Sequence, residues 1–365
     1  MEKLQTRISR ILTMRLNEKI SLKLLNKLNP ELSHNLAIKA LGLKLSPSIT
    51  NYSAPSLNIN FAGLNLENPI GLAAGFDKNA EAINSLSKLG FGFLEIGGVT
   101  PLPQDGNPKP RLFRLQRDKA IINRLGFNNK GMKVIGSKLK RNFSKVPVGI
   151  NLGANRDSKN RIEDYSKVLL ECGDFVDFAT LNISSPNTSK LRELQEPDNL
   201  KLLLLKFEGV KKKLKKNIPI FVKISPDLKD QALVDLISVV TASNVDGIIA
   251  TNTTISRENL TSSSRNEIGG LSGKPLKDIS TKMIAKISHV TNGSLPIIGV
   301  GGVSSAEDAY DKICAGASAI QLYTALVYEG FSVINKICFG LDKLLHADGH
   351  QELKTAIGSK KEKWL

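Results

Sequence analysis

Residues 296–324, PIIGVGGVSSAEDAYDKICAGASAIQLYT, contain the pattern that decides the fold. Two short apolar runs, at 296–302 and 318–324, flank a helical stretch at 305–315. Each run is almost continuously apolar, which is typical of a strand in a parallel sheet buried on both faces. The segment therefore predicts a β–α–β unit, and the glycines of GVGG follow its first strand.

The same alternation extends back to residue 69. In chain order it predicts eight strands, at 69–75, 92–98, 147–153, 175–183, 219–225, 246–252, 296–302 and 318–324. The helices predicted with them are 79–89, 160–171, 199–216, 230–242, 276–290, 305–315 and 330–346. Eight β–α units favour an α/β fold of the closed (β/α)8 TIM-barrel type, usually roughly 250 residues long. An open doubly wound sheet is the alternative, but the GxGxxG of its first turn is absent.

The composition excludes several classes of protein. A net charge of +17 is compatible with solvated helix faces, an anionic membrane surface, an acidic ligand or nucleic acid. Aromatic residues make up only 5%, which argues against a base-stacking platform. The three cysteines form no CxxC pair, so we expect no zinc site or disulfide framework. We also expect neither a spanning helix nor a secretory signal, because long apolar runs are missing.

The N-terminal region predicts two basic amphipathic helices. Leucine and isoleucine recur every four residues over 1–28, Pro30 interrupts the pattern, and residues 31–44 resume it. Nine Lys or Arg oppose three Glu in the first 50 residues. Such a pair indicates a membrane-surface or partner-docking element, or equally a helical cap on the main domain.

Polar residues and glycines follow every predicted strand. Barrel active sites lie at the C-terminal ends of the strands, so these groups should share one cavity. Burying two lysines and several amides there is costly without a ligand. No His/Asp/Glu cluster suggests a metal. The residues are Asp77, Lys78, Asn79, Gly97, Gly98, Thr100, Asn151, Asn182, Lys223, Thr251, Asn252, Thr253, Thr254, Gly299, Gly301, Gly302, Tyr323 and Thr324.

The type of ligand follows from these groups. GVGG at 299–302 and AGAS at 315–318 match the phosphate site built by the last two loops of a barrel. Lys223 would balance an anionic cofactor ring. Amides suit a planar heterocycle with alternating donors and acceptors. We therefore expect a phosphate-bearing cofactor and a small anionic substrate, with amides from Asn123, Asn151, Asn182, Asn187 and Asn252.

The loop TLNISSPNT at 180–188 raises a chemical problem. A serine that acts in catalysis normally needs a neighbouring base, and Ser184 and Ser185 have no histidine close in sequence. Either both serines are turn residues, or one acts without a histidine. The four histidines are His34, His289, His346 and His350.

Residues 28–345 resemble, in order, the dihydroorotate dehydrogenase family, specifically its quinone-dependent, membrane-associated class 2. Several of the matching blocks are long, so the resemblance is more specific than any single motif. The blocks are NPIGLAAGFDKNAE (68–81), FLEIGGVTPLPQDGNPKPRLFRL (93–115), INRLGFNNKG (122–131), INLGAN (150–155), NISSPNTSKLRELQ (182–195), VKISPDL (222–228), IATNTT (249–254), GGLSGKPL (269–276) and PIIGVGG (296–302).

The resemblance implies one FMN per chain and oxidation of dihydroorotate to orotate in pyrimidine synthesis. Substrate C6 gives a hydride to the flavin while a base takes a proton from C5. Matching NISSPNT residue by residue places that base at Ser185, as in the quinone-dependent class. The soluble class uses a cysteine, and no cysteine lies in this loop, which argues against that class. Lys78 would stabilise the developing negative charge. Thr188 and a water beside Phe127 would relay the proton, and Ser184 would be a turn residue.

The same matching implies two sets of binding residues. One departure is Gly98, where family members often carry Ser or Thr. The substrate set is Lys78, Asn123, Arg124, Leu125, Gly126, Phe127, Asn182, Asn187, Asn252 and Thr253. The FMN set is Ala74, Gly75, Phe76, Asp77, Lys78, Gly98, Asn151, Asn182, Lys223, Thr251, Gly273, Gly302, Tyr323 and Thr324.

The resemblance also implies the domain organisation. Residues 1–50 would form a helical segment for quinone access and membrane binding, 51–346 the FMN barrel, and 347–365 a C-terminal tail. The helices would dock reversibly on an anionic surface and admit quinone to the flavin. We expect a monomer, peripheral on the cytoplasmic side of the inner membrane, without nucleic acid as a partner.

Three alternatives remain. A different FMN barrel oxidoreductase would use a soluble acceptor, but the Ser185 loop and the N-terminal helix pair argue against it. A basic barrel that binds nucleic acid is disfavoured by dispersed charges and few aromatic residues. A barrel that binds FMN without turnover is disfavoured because every expected catalytic residue is present.

Overall fold

The computed structural model describes residues 18–45, 51–188 and 190–365. Its strands in chain order are β1 (Ile59–Phe61), β2 (Leu64–Leu66), β3 (Ile70–Leu72), β4 (Phe93–Val99), β5 (Leu112–Leu115), β6 (Ala120–Asn123), β7 (Val148–Leu152), β8 (Phe178–Asn182), β9 (Ile220–Ile224), β10 (Gly247–Ala250), β11 (Gly270–Gly273), β12 (Ile297–Val300) and β13 (Ala319–Leu322). Eight of them close a barrel in the order β10-β12-β13-β3-β4-β7-β8-β9, and every pairing is parallel. The predicted (β/α)8 barrel is confirmed.

Helices surround the barrel, and the stretch 18–27 forms α1 at the start of the described chain. The other helices are α2 (Pro30–Gly42), α3 (Ile83–Leu86), α4 (Met132–Leu139), α5 (Arg161–Cys172), α6 (Pro197–Lys211), α7 (Asp230–Thr241), α8 (Lys277–Val290), α9 (Ala306–Ala315), α10 (Thr324–Glu329), α11 (Ser332–Ala347) and α12 (Leu353–Ala356). From α5 onward the helices predicted between the barrel strands agree with the structure to within a few residues.

The prediction was wrong around the first two strands. The helix expected at 79–89 is only the single turn of α3. The Asp77 carboxylate accepts hydrogen bonds from the backbone N–H groups of Glu81 and Ala82, at 2.9 and 2.7 Å, and folds this segment into a loop. Helix α4 was not predicted.

Aromatic rings fill the lower end of the barrel. Phe221 stacks on Phe61 of the β1–β2 hairpin, with ring centroids 5.3 Å apart, and packs edge-on against Phe178. Glycines make room for the rings, because a Cβ on Gly149 would lie 2.1 Å from the Phe178 ring. The hairpin therefore closes the lower end, and any ligand must enter from the C-terminal ends of the strands.

Three strands outside the barrel form a cover over that upper end. Strands β5, β6 and β11 make an antiparallel sheet in the order β11-β6-β5. A small separate core supports it, in which Leu115, Ile122 and Leu271 are buried. These strands were not predicted, because β5 and β6 lie inside one long loop of the barrel and β11 inside another.

The N-terminal helices pack beside this cover. Asn29 caps α2 by accepting hydrogen bonds from the N–H groups of Glu31 and Leu32. Arg111 holds Glu31 with two hydrogen bonds of 3.1 and 2.6 Å. No helix in the described ranges is long and apolar enough to cross a membrane. The helix predicted for residues 1–28 falls partly on 1–17, which lie outside the described residues, as do 46–50 of the predicted N-terminal segment.

The last residues of the chain are packed against the barrel. Leu353 and Ala356 are fully buried, and the N–H groups of Gly358 and Lys360 donate to Ile313 O and Cys314 O. The C-terminal segment therefore fastens the end of α9.

Candidate active site

A cavity of about 510 Å³ opens at the C-terminal ends of the barrel strands. This size is within the range of small-molecule and cofactor sites. Most residues predicted for a site line it. They are Ala74, Gly75, Lys78, Gly98, Asn123, Leu125, Gly126, Phe127, Asn151, Asn182, Ser185, Asn187, Lys223, Thr251, Asn252, Thr253, Gly273, Gly302, Tyr323 and Thr324.

A buried carboxylate organises the floor of the cavity. Glu95 on β4 accepts hydrogen bonds from Asn151 Nδ2 and Gln321 Nε2, both at 2.7 Å. Burial lowers the pKa of the neighbouring Lys223 ammonium, and the charge of Glu95 opposes that shift. The two hydrogen bonds to Glu95 fix the orientations of the Asn151 and Gln321 amides. Gln321 Oε1 is buried without a hydrogen-bond partner in the described structure, so it presents a free acceptor at the cavity wall.

Side-chain amides join the strand ends into one network. Asn182 Nδ2 donates to Asn151 Oδ1 at 2.8 Å, and Asn252 Nδ2 donates to Asn182 Oδ1 at 3.1 Å. The buried Ser184 hydroxyl donates to Lys223 O at 2.6 Å and accepts from Asn252 Nδ2 at 3.1 Å. Ser184 therefore joins β9 to the loop after β10, which is more than a turn residue does.

Ser185 differs from Ser184 because it lines the cavity. The Ser185 Oγ accepts a hydrogen bond of 3.3 Å from the N–H of Asn187. Asn187 Nδ2 in turn donates to Asn123 Oδ1 at 3.3 Å. Within the described structure no imidazole or carboxylate hydrogen-bonds to Ser185. The constellation is therefore not a nucleophile–base pair of the hydrolase type.

Lys78 lies beside a histidine of α2. Its Nζ is 3.3 Å from His34 Nε2, and the His34 ring packs edge-on against Phe76 at 5.4 Å between centroids. Burial lowers the pKa of Lys78 to about 8, and the nearby carboxylates of Glu31 and Asp77 oppose that shift. Burial also lowers the pKa of His34 well below its usual value, and the Lys78 charge adds to the effect. Lys78 is thus a cation at neutral pH beside a neutral imidazole.

A glycine-rich turn forms the opposite end of the cavity. Gly301 and Gly302 have φ angles of 121° and 74°, which only glycine adopts readily. A Cβ added to Gly302 would lie 2.5 Å from Lys277 Cα, so the turn abuts the first residue of α8. Here Thr324 and Ser272 share a hydrogen bond of 2.8 Å between their hydroxyls. Free N–H groups and hydroxyls at a glycine turn are the donors that a phosphate requires.

Several polar residues and glycines expected in the cavity because they follow a strand do not line it, namely Asn79, Thr100, Thr254 and Gly299. Four residues of the catalytic, substrate and FMN sets do not line it either. Phe76 is buried against His34, and Asp77 binds backbone N–H groups of the following loop. The Arg124 guanidinium points away and pairs with Glu267 at 2.8 Å. Thr188 follows the Ser185 loop but is not part of the wall.

The space beside Gly98 is occupied by an aromatic ring. A Cβ on Gly98 would lie 2.7 Å from the Phe127 ring and 3.3 Å from Asn151 Oδ1. A side chain at this position would therefore require Phe127 to move.

Sequence reasoning missed several residues of the site, among them His34, Glu95, Ser184 and Gln321. Glu95 and Gln321 are polar residues inside otherwise apolar strands, and this irregularity was an available signal. The sequence held no such signal for His34, because its contact with Lys78 joins residues 44 positions apart. In the described ranges, no group of three or more His, Cys, Asp or Glu suits a metal ion.

Comparison with known proteins gives a consistent result. Residues 56–345 match the family model "Dihydroorotate dehydrogenase". The chain is 49% identical over 353 residues to "Dihydroorotate dehydrogenase (quinone)" of Cereibacter sphaeroides, covering 96% of this chain and 100% of that protein. It is 45% identical over 342 residues to the mitochondrial protein of that name from Mus musculus, covering 91% and 87%. The crystal structure of DHODH from Eimeria tenella with ferulenol superposes with a TM-score of 0.87 at 39% identity, covering 90% and 95%.

Proposed function

Because the chain belongs to the dihydroorotate dehydrogenase family, and is therefore an oxidoreductase, we propose that it oxidises (S)-dihydroorotate to orotate in pyrimidine biosynthesis. FMN would be the hydride acceptor and a quinone the final electron acceptor. The observation that carries this proposal is the ring of amides around Ser185, in a cavity that ends in a glycine turn. The relatives named for this activity support it.

The residues of the cavity suit FMN. The turn at Gly301 and Gly302 leaves no room for side chains and offers N–H groups to a phosphate. Lys223 supplies a buried amino group, and Gln321 Oε1 an unused acceptor, on the walls where a polar ring would lie. When bound, FMN would supply the redox chemistry by accepting two electrons as a hydride.

The substrate would lie against the side-chain amides of the cavity. Asn123, Asn182, Asn187 and Asn252 offer donors and acceptors at the edges of a planar dihydropyrimidine. Lys78, a cation at neutral pH, would attract the substrate carboxylate and stabilise negative charge that develops at its carbonyl. These groups orient the substrate before the reaction, because hydrogen bonds already fix the amides.

Ser185 would remove the C5 proton of the substrate. The electrons of the C5–H bond then form the C5–C6 double bond as the hydride leaves C6. The hydroxyl lies free at the cavity wall, apart from the hydrogen bond from Asn187. The serine would pass the proton on through Thr188 and a water beside Phe127. The C5 proton is α to a carbonyl, so a weak base suffices where Lys78 stabilises the negative charge that develops on that carbonyl as the proton leaves.

The N-terminal helices would bring the protein to the membrane that holds the quinone. Exposed apolar side chains recur every four residues along α1, the turn that follows it and α2, namely Ile20, Leu24, Leu28, Leu32 and Leu36. Inserting such a stripe between lipid head groups stabilises binding by roughly 1.5–3 kcal/mol for each fully buried leucine. The division into segments 1–50, 51–346 and 347–365, the monomeric state and the cytoplasmic side of the inner membrane belong to the same proposal.

The acceptor test is a steady-state assay of the purified protein with dihydroorotate. We expect a short-chain quinone to support turnover, and fumarate and NAD to give none above background. Turnover with fumarate or NAD in place of quinone would assign the chain to a soluble-acceptor reaction.

A further inference from the structure

Lys312 on α9 is a buried lysine that the proposed reaction does not use. Its side chain is fully buried. Its ammonium donates hydrogen bonds to Lys277 O at 3.3 Å, to Thr281 Oγ1 at 3.0 Å and to Ser280 Oγ. All three acceptors belong to the start of α8. Within the described ranges, no carboxylate forms an ion pair with Lys312, although burying an ammonium is costly without a counter-charge.

The network continues from Lys312 to the glycine turn of the cavity. The Ser280 hydroxyl, which accepts from Lys312, lies 3.2 Å from Gly301 O and 3.1 Å from Lys277 O as a donor. A Cβ on Gly301 would lie 2.9 Å from Ser280 Oγ, so the turn rests directly on this hydroxyl. Lys312 therefore ties α9, α8 and the cavity wall together at one point.

We propose that Lys312 is a positioning residue for the phosphate of the bound cofactor, because it fixes the glycine turn through Ser280 and places its charge behind that turn. The inference rests on the proposed function, since it assumes FMN in the cavity. The phosphate on the other side of the turn would then add a negative charge to that of Asp308, which already acts on Lys312. Burial lowers the pKa of Lys312 to about 7, and Asp308 opposes the shift. An anion at the turn would favour the charged form further.

The test separates the phosphate from the rest of the flavin. Purified protein is incubated to equilibrium with a mixture of FMN and riboflavin, free flavin is removed, and the ratio of the two bound flavins is measured. In Lys312→Met we expect the ratio of FMN to riboflavin to fall about tenfold, because the phosphate loses a nearby positive charge and the glycine turn loses its anchor. Lys282→Met is the matched control, because Lys282 is an exposed lysine of α8. It should leave the ratio unchanged.

A second variant serves the same test if Lys312→Met does not fold. Ser280→Ala removes the hydroxyl between Lys312 and Gly301, and should lower the same ratio by about threefold. An unchanged ratio in a folded variant, even with less total flavin bound, would overturn the proposal, because loosened packing weakens both flavins alike. A wild-type protein that takes up neither flavin would instead contradict the cofactor assignment itself.

Discussion

The proposed chemistry depends on Ser185. An isolated hydroxyl is a weak base, and Ser185 has no imidazole or carboxylate partner within the described structure. It shares the cavity with amides that suit a planar ligand and with Lys78, whose pKa of about 8 leaves it positively charged at neutral pH. This environment suits removal of a proton from an acidic carbon, where most of the stabilisation comes from fixed charges and dipoles.

Ser185→Ala should slow flavin reduction by dihydroorotate by about 10² to 10⁴, the usual contribution of a positioned base. FMN content and orotate affinity should stay near those of the wild type, because the hydroxyl binds neither. Anaerobic stopped-flow absorbance measures the reduction. Ser184→Ala removes a side-chain group of the same size and serves as the comparison. It should also weaken orotate binding, because Ser184 positions Asn252. Wild-type reduction rates in Ser185→Ala would refute the base assignment.

Lys78 should make orotate binding depend on pH. Its pKa is about 8, so it carries a charge below that pH and is neutral above it. The orotate anion binds the protein in which Lys78 is protonated. The affinity for orotate should therefore be constant below about pH 8 and fall up to tenfold per pH unit above it. Titration of the flavin absorbance with orotate measures this. Lys78→Gln should bind more weakly and show no such decrease, whereas a constant wild-type affinity would contradict the role.

At the residue scale, sequence predicted the groups that follow a strand but not those that face each other from distant segments. Ser185, Asn187 and Lys223 follow or lie within predicted strands, and all three line the cavity. The contact between His34 and Lys78 depends on how α2 packs, which local pattern does not encode. Asp77 was assigned to the cofactor, yet its carboxylate binds backbone N–H groups, because a side chain after a strand also serves the following turn.

Among the elements, α1 and α2 carry the exposed leucines proposed to meet the membrane. Replacing Leu24 and Leu36 together by Glu should weaken binding to anionic vesicles by at least about tenfold, because each leucine loses apolar burial. Flavin reduction by dihydroorotate should not change. Vesicle co-sedimentation measures the binding.

The matched control is the same double change at Leu202 and Leu205 on α6, which are also exposed. It alters the net charge equally but lies outside the N-terminal helices. Equal loss of vesicle binding in both variants would mean that charge alone decides, and would contradict an apolar docking face.

The C-terminal segment is a structural element of the barrel. Leu353 is fully buried, and cavity formation in Leu353→Ala should lower the free energy of unfolding by about 2–5 kcal/mol. Leu365→Ala, at a half-exposed position, should change it by less than about 0.5 kcal/mol. Urea denaturation followed by circular dichroism measures both. Equal stabilities would show that the segment does not support the barrel in solution.

Helices and strands were predictable where the regular pattern of their apolar residues was not interrupted. Helices α5 to α9 show this, as do all eight barrel strands. The helix expected at 79–89 did not form, because the Asp77 carboxylate stabilises a loop there. Strands β5, β6 and β11 are short, and long-range pairing selects them rather than local sequence.

For the whole molecule, the barrel explains why the proposed chemistry, cofactor and acceptor would meet in one place. Phe61 and its neighbouring rings close the lower end, so the upper cavity is the side open to a ligand. The cover sheet and α2 lie over that upper end, and Arg114 donates to the carbonyl of Leu28 at 2.8 Å, which joins them. The order of the predicted strands and helices was enough to predict the barrel, whereas the cover arises from segments for which no element was predicted.

The most direct test of the account is anaerobic addition of dihydroorotate to the purified protein while the visible absorbance is followed. We expect a bound yellow flavin that loses its colour on addition of dihydroorotate and regains it on addition of a soluble quinone. A yellow protein whose colour is unaffected by dihydroorotate would contradict the proposed substrate. A colourless protein that takes up no FMN would contradict the account of the cavity.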